Sequence, residues 1–366
     1  MGRALEQHSG DVLRIGPLES TALTVGKVLH KCVHYLTGAN YLYTHTHTVA
    51  KQLGKIVEKR LRHESFDVIF APAGSGIIAY LQTSAPIVYL SDTTIRRMFD
   101  YNSEFSGLSP RQVRTADDIE QAAISKATHL IYPSSWAAES AIADYNASKK
   151  NVSIVPFGAN LDTAPPRAQV LRRSSTGSCK LLFVGVNWWQ KGGDIAFETL
   201  LELEARGIQA ELTIVGCTPP GTVNHSRVRT FPFLNKNNEC ERAQLNDLYR
   251  EADFFILPTR SECFSIALCE ANAFGIPILS TQTGGLGDLV KQGVNGYLFP
   301  LEARGRTYAA KIEELHANPE LYHSIRVSSR QQFEERLNWD AWGKRVSEIL
   351  WSVVSTNSRE HSETYA

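Results

Sequence analysis

The sequence predicts an α/β protein with two doubly wound, parallel-sheet domains and a C-terminal helical segment. Short apolar runs alternate with longer helical patterns along most of the 366 residues, which is typical of stacked βα units. A polar stretch with paired prolines interrupts this series near its middle, and the series then starts again. At roughly 150 residues per domain, the length also favours two domains.

The first domain is predicted over residues 1–158, with five short apolar runs as its strands. These runs are Val12–Ile15, Val68–Ala71, Ile87–Leu90, Leu130–Tyr132 and Val152–Val155. The chain starts with a helical pattern from Met1 to His8, whereas a doubly wound domain normally starts with a strand and a glycine turn. The first strand of this domain is therefore expected to be missing.

A linker and a second domain are predicted after this. Residues 159–178 are polar and proline-containing, which indicates the linker, and residues 179–335 form the second domain. Its predicted strands are Leu181–Gly185, Leu212–Val215, Phe254–Leu257 and Ile276–Leu279. Residues 336–366 are predicted to form a helix that returns to the first domain, and then a frayed polar tail from Ser355.

The charges and the cysteines argue against several classes of protein. Lys plus Arg and Asp plus Glu both number 38, so no net field favours nucleic acid as a partner. The six cysteines form no C-x-x-C pair, and His45 and His47 have no third ligand nearby, so we expect free thiols and no metal site.

The sequence also bears on location. It has neither a run of about eighteen apolar residues nor a signal-peptide pattern at its start, so we expect a cytoplasmic protein. The run Lys55–His63 places basic residues at helical spacing beside apolar ones. This run is either a plain solvated helix face or a peripheral membrane or acceptor contact.

The most informative block is Leu257–Ser280, which contains two glutamates separated by seven residues. Glu262 lies in a polar turn after a buried strand, where open α/β sheets bind ligands. A helix predicted from about Phe264 to Phe274 begins with unpaired backbone N–H groups, which suit a diphosphate. Glu270 falls in the second turn, where it can accept hydrogen bonds from a ribose. The alternative is a helix-terminal charge at Glu262 and a surface residue at Glu270.

A second block, Phe183–Asp194, is predicted to be a strand, a loop and the start of a helix. Gly185 allows a ligand to approach the strand end closely. Lys191 can place a positive charge on a phosphate. The alternative for Lys191 is a solvated loop lysine.

Both blocks resemble the retaining glycosyltransferases of family 4, which have the GT-B fold of two Rossmann-like domains facing across a cleft. The family's Glu-x7-Glu spacing is met by Glu262 and Glu270, and its Lys-Gly pair by Lys191-Gly192. Further matching motifs are Leu212–Gly216, Ala273–Pro277, Gly284–Val290 and Gly293–Leu298. The resemblance is close over most of Leu181–Pro300 and looser in the first half.

The resemblance implies retaining transfer of a sugar from a nucleoside diphosphate sugar, without an obligatory metal. It places Glu262 near the donor sugar, Glu270 on the ribose and Lys191 on the diphosphate. Donor binding is assigned to Gly185, Asn187, Lys191, Gly216, Cys263, Phe264, Ser265, Ile266 and Glu270. The family's arginine after the strand glycine is absent, because Val186 follows Gly185. Charge neutralisation therefore depends more on Lys191 and the helix N-terminus.

The first domain supplies one further candidate. Asp92 follows a strand at a position where relatives often carry a histidine, and it is the acceptor-side catalytic candidate. The alternative is that Asp92 only caps a turn. We expect no cofactor beyond a UDP-, GDP- or ADP-sugar donor, and the acceptor is a glycan, a lipid-linked molecule or a small molecule.

Catalysis is expected to be electrostatic, because a nucleoside diphosphate leaves well once its charge is balanced. Two other functions stay open from the sequence. One is a sugar-nucleotide 2-epimerase of the same architecture, and the other is a non-catalytic partner subunit that keeps the nucleotide pocket.

Overall fold

The computed structural model describes residues 1–172 and 177–364, with side chains as far as Asn357, and it divides into two compact units. Unit 1 comprises Met1–Pro156 and Gly343–Ala366, and unit 2 comprises Phe157–Trp342. Each unit has its own parallel sheet and its own buried apolar core. The predicted α/β class is confirmed.

Unit 1 contains a four-stranded parallel sheet. Its strands, in spatial order, are β1 (Ile69–Pro72), β2 (Ile87–Leu90), β3 (His129–Tyr132) and β4 (Val152–Ile154). Its helices are α1 (Gly2–His8), α2 (Thr21–Thr37), α3 (His47–Leu61), α4 (Ser75–Ile78), α5 (Ile95–Met98), α6 (Pro110–Lys126) and α7 (Ser135–Tyr145). In register, Val88 of β2 lies between Phe70 of β1 and His129 of β3.

Helix α6 illustrates how local sequence sets this fold. Ser109 and Gln112 form a reciprocal capping box, and Pro110 occupies the first turn, where its missing N–H costs nothing. Ala116 and Ile119 then lie one helical turn apart and are fully buried in the core of unit 1.

The strand predicted at Val12–Ile15 is wrong. These residues lie in an irregular segment between α1 and α2. Pro17 lies two residues beyond Ile15 and has no N–H to donate to a neighbouring strand, which disfavours strand pairing here. Ile15 packs instead against the core of unit 1 as a partly buried side chain.

Unit 2 contains a six-stranded parallel sheet with the order β10-β9-β8-β5-β6-β7. Its strands are β5 (Cys179–Val184), β6 (Ala210–Val215), β7 (Val228–Phe231), β8 (Phe254–Leu257), β9 (Ile278–Thr281) and β10 (Gly296–Phe299). Its helices are α8 (Arg167–Leu171), α9 (Gly193–Ala205), α10 (Glu239–Glu251), α11 (Ile266–Ala273), α12 (Leu286–Leu289), α13 (Gly305–Ala317) and α14 (Pro319–Glu335). Four of these strands were predicted, and β7 and β10 were missed.

The predicted linker over residues 159–178 differs from the structure. Residues from 157 onwards belong to unit 2, and the stretch contains helix α8. Ala159 and Val170 are buried in the core of unit 2, because apolar positions between the polar ones fold back onto it. Residues 173–176 lie outside the described part of the chain.

The last helix is α15 (Trp339–Thr364), and its backbone continues past Ser355, where the polar tail was predicted to begin; residues 365–366 lie outside the described part of the chain. No proline or glycine follows Gly343, so nothing in the sequence stops the helix there. From Gly343 the helix belongs to unit 1, where Ser347 Oγ donates 2.6 Å to the carbonyl of His8. Across the described residues, no helix is both long enough and apolar enough to cross a membrane.

Candidate functional site

The strand order of unit 2 marks where a ligand is expected. Along the chain, β5, β6 and β7 extend the sheet to one side, and β8, β9 and β10 extend it to the other. The carboxyl ends of β5 and β8 therefore flank the topological switch point, where open α/β sheets bind ligands. The loop after β5 carries Lys191, and the loop after β8 carries Glu262.

The side chains of Lys191 and Glu262 meet at this switch point. Lysine Nζ lies 2.7 Å from a carboxylate oxygen, and the two side chains are only 17% and 12% exposed. The carbonyl of Glu262 also accepts a hydrogen bond of 3.2 Å from the N–H of Gly285. The structure thus brings together two of the three residues predicted to be catalytic.

Close contact between the two loops holds this pair in place. Gly192 has a φ of +76°, and a Cβ there would lie 2.0 Å from the carbonyl oxygen of Pro258, so glycine is required. Gln190 Nε2 donates to Ser261 Oγ over 3.0 Å. The carbonyl of Gln190 accepts from the N–H of Arg260 over 2.8 Å.

The second glutamate, Glu270, is buried in α11 and has two partners. It is 1% exposed, so the alternative of a surface residue is wrong. The hydroxyl of Tyr249 donates to one carboxylate oxygen over 2.9 Å, and the ammonium of Lys236 contacts the other. A buried carboxylate needs such compensation, because leaving water costs it several kcal/mol.

Helix α11 is held at its C-terminal end by two arginines, and its N-cap side chain makes no capping hydrogen bond. Arg330 donates to the carbonyl of Ala273. Arg326 Nε donates to the carbonyl of Gly275 over 3.2 Å. At the other end Ser265 occupies the N-cap position, but its side chain makes no capping hydrogen bond. The N-terminal dipole of α11 is thus not capped by that side chain, which suits an anion.

Two of the predicted donor-binding residues are glycines at the same sheet edge. Gly185 follows β5 and Gly216 follows β6. Gly216 has a φ of +97°, and a Cβ on it would lie 2.9 Å from the carbonyl oxygen of Gly185. The two turns therefore adjoin, with no room for a side chain at Gly216.

The other predicted donor-binding residues differ in what they offer to a ligand. Asn187 is exposed, and its Oδ1 accepts a backbone N–H of its own loop over 3.0 Å, so it shapes that loop. Phe264 is buried, with its ring 5.2 Å from the ring of Phe157, so only its backbone can reach a ligand. Cys263 and Ile266 are partly exposed.

A cavity of about 180 Å³ adjoins Glu270. Its walls come from residues 160–163, from α10 and from the loop before α10, and they include Lys236 and Arg242. Arg242 Nε lies 3.1 Å from a carboxylate oxygen of Asp162. Sequence reasoning missed Lys236, Tyr249 and Arg242. The one usable signal was that Lys236 follows β7 at the carboxyl edge of the sheet.

A family model matches much of unit 2. Residues 178–318 match the model of the family described as glycosyl transferases group 1. We refer to this matched segment, residues 178–318, as the group 1 domain. It contains the switch point, both glutamates and most of the cavity, so the resemblance read from the motifs is confirmed for the donor-site region.

Curated relatives of the group 1 domain include two D-inositol 3-phosphate glycosyltransferases. The one from Corynebacterium jeikeium is 27% identical over 214 residues, covering 54% of this chain and 51% of the relative. The one from Streptomyces bingchenggensis is 26% identical over 247 residues, covering 63% and 54%. The chain thus spans about half the length of the curated relatives it matches.

Solved structures with the same fold extend the similarity beyond the group 1 domain. Sucrose-phosphate synthase from Thermosynechococcus elongatus superposes with a TM-score of 0.67 at 18% identity, covering 84% of this chain and 79% of that one. HepE from Anabaena, solved in complex with UDP, gives 0.62 at 16% identity, covering 83% and 82%. These similarities confirm the predicted GT-B fold class.

The group 1 domain lacks an arginine directly after Gly185, where Val186 is exposed. Arg260, in the loop after β8, instead makes hydrogen bonds of 2.9 and 2.8 Å to the carboxylate of Asp194. Burial opposes ionisation of Asp194, but Arg260 and Arg304 outweigh it and lower the pKa of that carboxyl. The carboxylate of Asp194 therefore holds the guanidinium of Arg260 in place.

Asp92, the acceptor-side candidate, belongs to unit 1 and not to the group 1 domain. It is exposed on the connection between β2 and α5, at the carboxyl end of β2. Within the described ranges, no group of three or more His, Cys, Asp or Glu side chains is arranged to hold a metal ion.

Proposed function

We propose that the chain transfers a sugar from a nucleoside diphosphate sugar to an acceptor, with retention of anomeric configuration. The pairing of Lys191 with Glu262 across the switch point is the observation that carries this proposal. The two residues place a cation and a carboxylate side by side at a site where α/β sheets bind nucleotides.

Lys191 neutralises the diphosphate in this proposal. Glu262 holds its ammonium in place before the donor arrives. Helix α11, whose N-cap residue Ser265 makes no side-chain capping hydrogen bond, begins four residues after Glu262. A diphosphate bound there meets a point charge and a helix dipole together. The developing charge of the leaving group is then stabilised without a metal ion, which is the largest contribution expected from such a site.

Glu270 binds the ribose of the donor in the same proposal. Its carboxylate is already ordered by Tyr249 and Lys236, and it borders the cavity of about 180 Å³. A carboxylate can accept hydrogen bonds from two neighbouring hydroxyl groups, because it has two oxygens and about four acceptor sites. The 2′- and 3′-hydroxyl groups of a ribose fit that pattern.

The acceptor side of the reaction is assigned to unit 1, with Asp92 as its candidate residue. An exposed carboxylate at the carboxyl end of β2 is able to accept the proton of an acceptor hydroxyl. Glu262 then contacts the transferred sugar from the group 1 domain.

A donor screen tests this proposal. The purified chain is incubated with UDP-, GDP- and ADP-sugars, and released nucleotide is measured with and without EDTA and candidate acceptors. We expect turnover of one donor class, no loss with EDTA, and a product with the donor's anomeric configuration by NMR. Release of an altered sugar nucleotide without acceptor would identify an epimerase instead, and no turnover of any donor would contradict the proposal.

A further inference from the structure

Helix α2 of unit 1 turns its apolar residues towards solvent. Five large side chains recur at helical spacing and are exposed: Val25, Val28, Leu29, Tyr35 and Leu36. Tyr35 and Leu36 are 90% and 77% exposed. A helix of a globular protein normally buries such a stripe, so this apolar surface calls for a partner.

The opposite side of α2 is the one that packs on the unit. Gly26 is its buried residue, and a Cβ there would lie 2.8 Å from Cβ of Tyr43. His30 Nδ1 lies 3.0 Å from the carbonyl oxygen of Tyr41. At the start of the helix, the N–H of Ala22 donates 3.2 Å to the side chain of Gln52 in α3. These contacts fix which face of α2 is left exposed.

Helices α2 and α3 are rich in positive charge. Helices α2 and α3 carry six cations against one acid, Glu58, whereas the whole chain has 38 of each sign. The cations are Lys27, Lys31, Lys51, Lys55, Lys59 and Arg60, and all six are exposed. The carboxylate of Glu58 is engaged, because it accepts the N–H of Gln82 over 2.8 Å.

We propose that α2 binds an anionic lipid surface, with its apolar stripe in the headgroup region and the lysines against lipid phosphates. Apolar side chains beside lysines, with no acidic residue, are the features of helices that lie in a membrane interface. The proposal is independent of the donor reaction, because it uses none of the residues assigned to that reaction.

Two other occupants fit the charges less well. In a symmetric pair of α2 helices, Lys27 and Lys31 of each copy would face like charges, because a twofold interface brings the same patch together. A nucleic acid would match the lysines but would leave the stripe of Val25 to Leu36 in water.

Vesicle flotation tests the proposal with the full chain. Vesicles of phosphatidylcholine alone are compared with vesicles containing phosphatidylglycerol. We expect binding only to the anionic vesicles. Val28→Ser with Leu29→Ser should weaken it at least about tenfold, since apolar burial drives insertion. Lys27→Gln with Lys31→Gln should weaken it about 25-fold, at about fivefold per lysine.

A matched control removes the same charge elsewhere on unit 1. Lys149→Gln with Lys150→Gln changes two exposed lysines outside α2 and α3 and should leave binding within about twofold. Donor hydrolysis and melting temperature are measured for every variant and should stay at the wild-type level. This separates loss of lipid binding from loss of fold or of the proposed transferase reaction.

Three outcomes would overturn the proposal. They are no binding to either vesicle, binding that the α2 variants do not weaken, and binding that only the lysine variant weakens. The last would indicate simple charge attraction. Sedimentation of the chain without vesicles tests whether α2 instead binds a second copy of the chain. A dimer that Val28→Ser with Leu29→Ser abolishes, together with no vesicle binding, would assign the stripe to self-association.

Discussion

The ammonium of Lys191 lies 2.7 Å from the carboxylate of Glu262, although the two residues come from loops that follow different strands. The sheet brings them together because β5 and β8 are neighbours, while β6 and β7 lie beyond β5 on its other side. A ligand anion that binds Lys191 must share it with Glu262.

Replacing Lys191 with alanine should slow transfer. Without the ammonium, the leaving diphosphate loses one charged partner, and we expect kcat/KM to fall about 10²- to 10³-fold by analogy with removing an oxyanion-stabilising donor. Steady-state kinetics with the preferred donor measure this. The exposed lysine of the same unit, Lys291, serves as the control, and Lys291→Ala should keep full activity. Equal kcat/KM values for Lys191→Ala and wild type would show that Lys191 has no role in catalysis.

Replacing Glu270 with alanine should weaken binding of the free nucleoside diphosphate about 10- to 100-fold, because two hydrogen bonds to a charged acceptor are lost. Isothermal calorimetry gives the dissociation constant directly. The exposed Glu239 of α10 provides a matched control. Unchanged affinity in Glu270→Ala would mean that the ribose binds elsewhere.

The Lys236–Glu270 pair should show strong coupling in stability. Lys236→Met leaves the buried Glu270 without its cation and should lower the free energy of unfolding by about 1–3 kcal/mol, less than for a fully buried pair because Lys236 is 40% exposed. Adding Glu270→Gln should recover part of that loss. Urea unfolding of the two single variants and the double variant gives the coupling energy, and simple additivity would contradict the expected interaction.

Alanine substitutions at Gly192 and Gly207 separate the cost of a left-handed backbone from the cost of a steric clash. Both have a φ of +76°, but a Cβ on Gly192 would meet Pro258, whereas Gly207 has nothing within 4 Å. Gly207→Ala should cost about 1 kcal/mol from the left-handed backbone alone. Gly192→Ala should cost clearly more and should also reduce donor turnover, because it separates the two loops. Thermal unfolding and donor hydrolysis together measure this, and similar losses in both variants would argue against loop contact.

Glu120 should make the stability of unit 1 depend on pH. Burial raises the pKa of this carboxyl from 4.5 to about 7, although hydrogen bonds from Ser75 and Tyr89 oppose the shift. The folded state therefore holds a proton that the unfolded state releases above pH 4.5. The stabilisation that comes from this proton is fully present below pH 4.5 and is lost as the pH rises towards 7.

The test compares Glu120→Gln with wild type at pH 5.5 and pH 8. The amide cannot ionise, so the variant does not lose stability as the pH rises. Its free energy of unfolding relative to wild type should therefore be about 2 kcal/mol higher at pH 8 than at pH 5.5, since the wild type loses about 1.4 kcal/mol per pH unit up to pH 7. Urea unfolding followed by circular dichroism measures it. The exposed Glu139 of α7 is a suitable control, and a pH-independent difference for Glu120→Gln would show that the group does not titrate there.

The sequence predicted the parts of this fold that depend on local pattern. Strands such as Phe254–Leu257 are short, fully apolar and bounded by polar turns, and the structure has this strand at the same residues. Helix α1 was equally evident. Val12–Ile15 is also short and mostly apolar, but the structure pairs no strand with it. The local sequence does not show whether such a run has a neighbouring strand to pair with.

The site was predictable only as far as its residues lie in continuous motifs. Glu262, Glu270 and Lys191 were found because each has a motif around it, whereas Lys236 and Tyr249 reach Glu270 from a different loop and helix. Such partners depend on how α10 packs beside α11, which a single sequence does not reveal. The burial of Glu270 gave a partial signal, since a carboxylate in an apolar helix requires a cation or a donor nearby.

The contacts of α14 bear on how the group 1 domain should be isolated. A fragment ending at residue 318, where the family match ends, would contain every residue assigned to donor binding. It would lack Arg326 and Arg330, whose guanidinium groups bind the carbonyls at the end of α11. An expression fragment for nucleotide-binding work should therefore extend through Glu335, the last residue of α14.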